Sequence, residues 1–197
     1  MNVVVLGFLG SLAAGLMTAI GALPVLVGRK VSQRLNDTLL GFAAGVMLAA
    51  SFFSLIVPGL EAAESLHGGR LVPALIAVAG ICLGVGFIYI LDERLPHEHF
   101  IKGREGPEAE TLKKIWLFVI AITLHNIPEG LAVGVGFGGG DMGAGATLAF
   151  GIGLQNAPEG LAVALALQSE GYGKRYAFVV ACLTGLVEPV AGLIGAA

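Results

Sequence analysis

Residues 124–133 read LHNIPEGLAV and residues 154–163 read LQNAPEGLAV, the same stretch 30 residues further on with eight of ten positions unchanged. Each sits in the middle of a long apolar run, Ile115–Phe137 and Gly145–Leu167. An apolar run of about 20 residues is the length a helix needs to cross bilayer hydrocarbon. A histidine, amides and glutamates at the centre of such a run are tolerated only if they face protein, an ion or a water-filled path. The repeated stretch therefore decides two things together: the chain is built of membrane helices, and two of those helices turn polar chemistry toward one another.

Four further apolar runs complete the pattern, at Val3–Val27, Thr38–Leu60, Leu71–Leu91 and Tyr176–Ala197, giving six expected spans. The 197 residues are 56% hydrophobic and only 13% charged, with a mean hydropathy of +0.87, too little charge to coat a soluble domain of this size. The expected fold class is an all-α, polytopic transmembrane helical bundle. Residues 1–91 hold helices one to three, 92–114 a polar connection, 115–167 helices four and five, and 168–197 helix six. The first run is too long for a secretory signal and has no basic residue before position 29. Cys82 and Cys182 stand alone in apolar runs and read as small buried hydrophobes. A net charge of −3 with no basic cluster points to no nucleic-acid partner. The glycine-rich GFGGGDMG at 136–143 lacks the Gly-Lys-Ser/Thr ending of a phosphate loop and reads as a turn.

Loop lysines and arginines orient the bundle. Ten of the eleven basic residues fall in the loops 28–37, 92–114 and 168–175, and only Arg70 lies on the other side. The N-terminus is therefore expected outside and the basic loops in the cytoplasm of a cell-membrane protein. The connection 92–114 carries His97 and His99 in the sequence HEH, which reads first as a solvated linker. With Asp92 or Glu98 these imidazoles offer a weak cytosolic stop for a divalent ion.

Eleven of the fourteen acidic residues lie in loops or at helix ends; Glu129, Glu159 and Glu188 do not. A charged carboxylate at mid-bilayer costs ~2.5–3.5 kcal/mol even on the gentler insertion scale, so such residues face the bundle interior and mark a pathway. His125 and Glu129 are four apart and share a helix face, as do Gln155 and Glu159. Asn126 and Asn156 are turned ~100° from these and can line a neighbouring pocket with amide oxygens. Pro128 and Pro158 each lack an N–H and crowd the carbonyls of Leu124 and Leu154. Imidazole, carboxylate and amide oxygen without thiolate make a divalent-cation site. Zinc suits it, cadmium, iron(II) and manganese(II) remain open, and magnesium is disfavoured.

Through the paired HNIPEG and QNAPEG, with GALPVL, GFAAGVMLAASFFSLIVPGLE and GLVEPV in support, the chain resembles the ZIP (Zrt/Irt-like) family of divalent-metal transporters, in particular its prokaryotic GufA-type branch. The resemblance implies a binuclear site between helices four and five. One ion would be held by His125, Glu129, Gln155 and Glu159. A second would be held by Asn126, Asn156 and Glu188, with Glu129 and Glu159 bridging. It further implies alternating-access movement of metal into the cytoplasm, a homodimer, the metal as cargo with no organic cofactor, and an eight-span inverted-repeat (3+2+3) architecture. The chain would supply six of those spans, which reads as truncation. Similar members often carry Asp where this chain has Asn156, so the second ion is expected to be the weaker one. Two other classes fit less well. An intramembrane metalloenzyme needs an open water position and a free base, and H-E-x-x-H is absent. A proton or cation channel would use the same glutamates as a relay.

Overall fold

The computed structural model describes residues 2–28, 31–94, 97–99, 103–105 and 114–197. Helix α1 (Val3–Leu26) is followed by α2 (Gln33–Ala49), a π-helical segment (Ala50–Ile56) and α3 (Val57–His67), which run on as one long rod. Helix α4 (Leu71–Arg94) leads to two three-residue strands, β1 (His97–His99) and β2 (Gly103–Glu105), paired antiparallel with His97 opposite Glu105. Then come α5 (Lys114–Gly138), α6 (Met142–Ser169), α7 (Lys174–Gly185) and α8 (Glu188–Gly195). The chain is an all-α polytopic bundle. Among the described residues, five helical segments are long and apolar enough to cross a bilayer: Val3–Leu26, Gln33–His67, Leu71–Ile90, Ile115–Gly138 and Lys174–Gly195. Helix α6 has the length, at 28 residues. Its Gln155, Asn156, Glu159 and many glycines dilute its apolarity, and it hides them by being the most enclosed helix, with 14 buried residues.

Two expected spans differ from the observed helices, and a proline explains each. The second span is longer than Thr38–Leu60 and contains the π segment, whose closing Val57 N–H donates five residues back, to the Phe52 carbonyl. Pro58 follows at once. It has no N–H, and its ring crowds the carbonyl of Ser54, four residues before it, so the wider turn is the accommodation. The sixth span is broken. Helix α7 stops at Gly185 and α8 restarts at Glu188, with Leu186 and Val187 between them. Pro189 crowds the Gly185 carbonyl in the same way and sits in the first turn of α8, where a missing N–H costs nothing. Glu188 therefore opens a helix at the centre of the bundle instead of lying mid-helix. Pro128 and Pro158, by contrast, are absorbed, and α5 and α6 run through them without a break.

The bundle closes round α1, which packs against α5, α6, α7 and α8. Its buried residues, Gly7, Ser11, Ala14, Gly15, Thr18 and Ala22 among them, recur every three or four positions, a seam of small side chains that lets backbones touch. A Cβ on Gly160 of α6 would strike the Thr18 carbonyl of α1, and one on Gly21 of α1 would strike the Ala157 carbonyl of α6. Helices α5 and α8 meet equally closely, Gly130 against the Glu188 carbonyl and Gly134 against the Gly192 carbonyl. Helix α4 is different: it packs on α3, and Leu71, Leu75, Leu83 and Val85 face outward. Cys82 is exposed on this helix and Cys182 half-buried on α7, so the expectation of two buried thiols fails for Cys82, which lies on the outward surface of α4.

Candidate metal centre

The repeated stretches meet where α5 and α6 pack side by side. One nitrogen, His125 Nε2, faces both motif carboxylates, 3.3 Å from Glu129 Oε1 and 4.0 Å from Glu159 Oε1. Ligand atoms of these three residues all lie within 4.8 Å of one another. Glu129 and Glu159 are buried, whereas His125 is 44% exposed at the mouth of the group. His125 and Glu129, four residues apart, thus face one another on α5.

Gln155 joins them, its Nε2 donating to Glu129 Oε1 across the α5–α6 contact. The two asparagines point elsewhere, as their 100° offset demands. Asn126 Nδ2 donates to the Thr184 carbonyl at 2.9 Å, in the last turn of α7. Asn156 Nδ2 donates to the Ala14 carbonyl of α1 at 3.0 Å and to Glu188 Oε1 at 2.7 Å. Carbonyls accept only, so each amide is fixed with its nitrogen toward these partners, and its oxygen is left buried without one. Glu188, fully buried at the start of α8, completes this second group.

Six buried acceptor oxygens of these residues have no hydrogen-bond partner: Asn126 Oδ1, Glu129 Oε2, Gln155 Oε1, Asn156 Oδ1, Glu159 Oε2 and Glu188 Oε2. Each would cost roughly 1–3 kcal/mol if left bare. Hard and borderline cations are what such a set of oxygens, with one imidazole nitrogen, is suited to hold. Sequence reasoning missed one neighbour. Met47 of α2 brings its Sδ to 3.1 Å from His125 Nε2. A methionine in an apolar run carries no signal of its own, and its reach depends on where α2 lies against the α5–α6 pair. The side chains of Asp92, His97 and His99, the expected cytosolic stop, lie outside the described residues.

Fold and site together define the class: a multi-pass helical membrane protein that gathers side chains able to ligate a metal between two helices carrying the same motif. The profile of the ZIP zinc transporter family matches residues 98–197. The chain is 48% identical over 187 residues to the zinc transporter ZIPB of Bordetella bronchiseptica, covering 95% of this chain and 60% of that protein. It is 43% identical over 189 residues to the zinc transporter GufA of Myxococcus xanthus, covering 96% of this chain and 74% of that protein. To the human zinc transporter ZIP11 it is 33% identical over 261 residues, covering 91% and 76%. The chain belongs to the ZIP family, in its GufA-type prokaryotic branch, and spans 60% of the length of ZIPB.

Proposed function

We propose that this protein carries zinc across the membrane, with cadmium, iron(II) and manganese(II) as competing cargo. The observation that carries the reading is the convergence of ligand atoms of His125, Glu129 and Glu159 within 4.8 Å where α5 and α6 meet. Relatives named as zinc transporters share most of this chain. His125, Glu129, Gln155 and Glu159 hold the first ion, and Met47 flanks it with a soft sulfur. Asn126, Asn156 and Glu188 offer a second position, with Glu129 and Glu159 between the two. Alternating access moves the ion toward the cytoplasm, the side of the basic loops, with the N-terminus outside in the cell membrane and a homodimer as the assembly. No enzymatic step is assigned, because both motif glutamates serve as ligands and neither is left as a base.

The reading is tested by zinc entry into liposomes that contain the purified chain, followed with a trapped indicator. Saturable entry above empty liposomes is expected, and entry no faster than the lipid leak would remove the proposal. The same assay resolves Met47. Thioether sulfur favours soft ions, so Met47→Ala should leave zinc entry nearly unchanged and weaken cadmium competition by about tenfold. Asn156→Asp should tighten the second ion, because three carboxylates do not neutralise two divalent charges. It also turns an oxygen onto the Ala14 carbonyl and Glu188, which now accept from Nδ2. The metal-free variant is thus expected to melt lower than the parent and to gain a larger zinc-induced rise in Tm. An unchanged zinc-induced rise would argue against a second ion at Glu188.

A further inference from the structure

Gln155 is 1% exposed, and its amide is used at one end only: Nε2 donates to Glu129 Oε1, while Oε1 is buried and unpartnered. The orientation follows from chemistry. A carboxylate oxygen is an acceptor, so the amide end that meets it must be the NH2. A cation held between Glu129 and Glu159 needs the other end, because an amide ligates through oxygen and its NH2 repels positive charge. The same terminus cannot serve both purposes at once. The terminal torsion of a glutamine is broad and roughly two-fold, so a half-turn exchanges the two ends without moving α6.

Its neighbour cannot do this. Asn156 Nδ2 is held by two acceptors on two different helices, Ala14 of α1 and Glu188 of α8. Turning it would set its oxygen against both. Of the two adjacent amides, one is locked and one is free to turn.

We propose that Gln155 is a two-way amide whose nitrogen satisfies Glu129 when the site carries no ion and whose oxygen ligates the ion when it does. This exchange lets the unloaded site change its facing across the membrane. The inference rests on the transport reading above and deepens it. Net movement of metal requires the carrier to return empty, with Glu129 buried and hydrogen-bonded by protein alone. Exchange of one ion for another empties the site at either face but never requires the empty carrier to change its facing. A donor needed for the empty carrier to change its facing therefore affects net flux more than exchange.

The experiment compares two modes with the full chain in liposomes and radioactive zinc: net uptake into zinc-free vesicles, and exchange with saturating zinc on both sides. Gln155→Glu keeps the ligating oxygen and loses the donor. It is expected to bind zinc at least as tightly as the parent, and any fall in its exchange measures the altered ligand itself. Its net uptake should fall by about 10- to 100-fold beyond any fall in exchange, the factor that matches one lost hydrogen bond to a charged group. Gln155→His, which offers both an N–H and a ligating nitrogen, should change net uptake and exchange by the same factor. If the glutamate variant does not fold, Gln155→Met, of similar length and without an N–H, is assayed with radioactive cadmium, which its sulfur ligates, and should show the same split between net uptake and exchange. Net uptake and exchange slowed equally, or both unchanged in the donor-less variants, would overturn the role of Gln155. A parent chain silent in both modes would instead overturn the transport reading, and this inference with it.

Discussion

A Glu129→Ala/Glu159→Ala chain is expected to lose saturable zinc binding altogether, while keeping its fold. Zinc titration of the detergent-solubilised protein, beside a thermal melt, reads both. The two carboxylates supply the anionic oxygens nearest His125 Nε2, at 3.3 and 4.0 Å. Without them the site retains one imidazole, neutral amide oxygens, a thioether and the single carboxylate of Glu188, too little charge to replace the hydration of two ions or to hold one beside His125. Mutating groups that merely support a metal ligand costs about 10–100-fold in affinity, and removing two ligands must exceed that. The fold should survive because each glutamate has one buried oxygen, Oε2, without a partner, so its removal takes away an unsatisfied group together with the acceptor of Gln155 Nε2. A lowered Tm together with lost binding would show instead that the glutamates act as structural struts. Undiminished binding would move the ion away from the repeated motif.

The reach of the sequence can be judged residue by residue. The His125–Glu129 and Gln155–Glu159 pairs were legible because a fixed helical pitch converts a spacing of four into a shared face, whatever surrounds the helix. Their meeting across α5 and α6 was legible because two polar motifs in two apolar spans have few ways to be satisfied except by facing each other. The prolines were not legible in this way. Pro58, Pro128, Pro158 and Pro189 remove the same N–H, yet the first is accommodated by a π segment, the next two are absorbed, and the last falls at a full break. What differs is the packing. Helix α6 is enclosed at the bundle centre, whereas no residue of the π segment is buried. The approach of Met47 to His125 and the capture of Asn156 by Ala14 also depend on how whole helices cross, which no local spacing encodes.

That dependence on helix crossing gives the second large effect, Gly160→Ala. The substitution adds one methyl group one residue beyond Glu159, and that methyl would overlap the Thr18 carbonyl oxygen and approach the Thr18 carbonyl carbon at 2.7 Å and Cα at 2.9 Å. These are backbone atoms of the central helix, with no rotamer to give way, so α1 and α6 must separate. Overpacking of this kind costs about 1–3 kcal/mol, and for a chain of this length each kcal/mol lowers Tm by ~2–4 °C. A drop in Tm of several degrees is therefore expected. Zinc affinity should fall with it, because α6 carries Gln155 and Glu159 and would be displaced from α5. The control is Gly84→Ala on α4, where a Cβ meets nothing within 4 Å. Alanine is the better helix former by up to ~1 kcal/mol, so that variant should be neutral or slightly more stable, with unchanged zinc binding. Equal Tm values for the two variants would mean that α1 and α6 do not hold the close crossing that places α6 beside α5. The site would then need another explanation for how two carboxylates and an imidazole are kept together in a membrane.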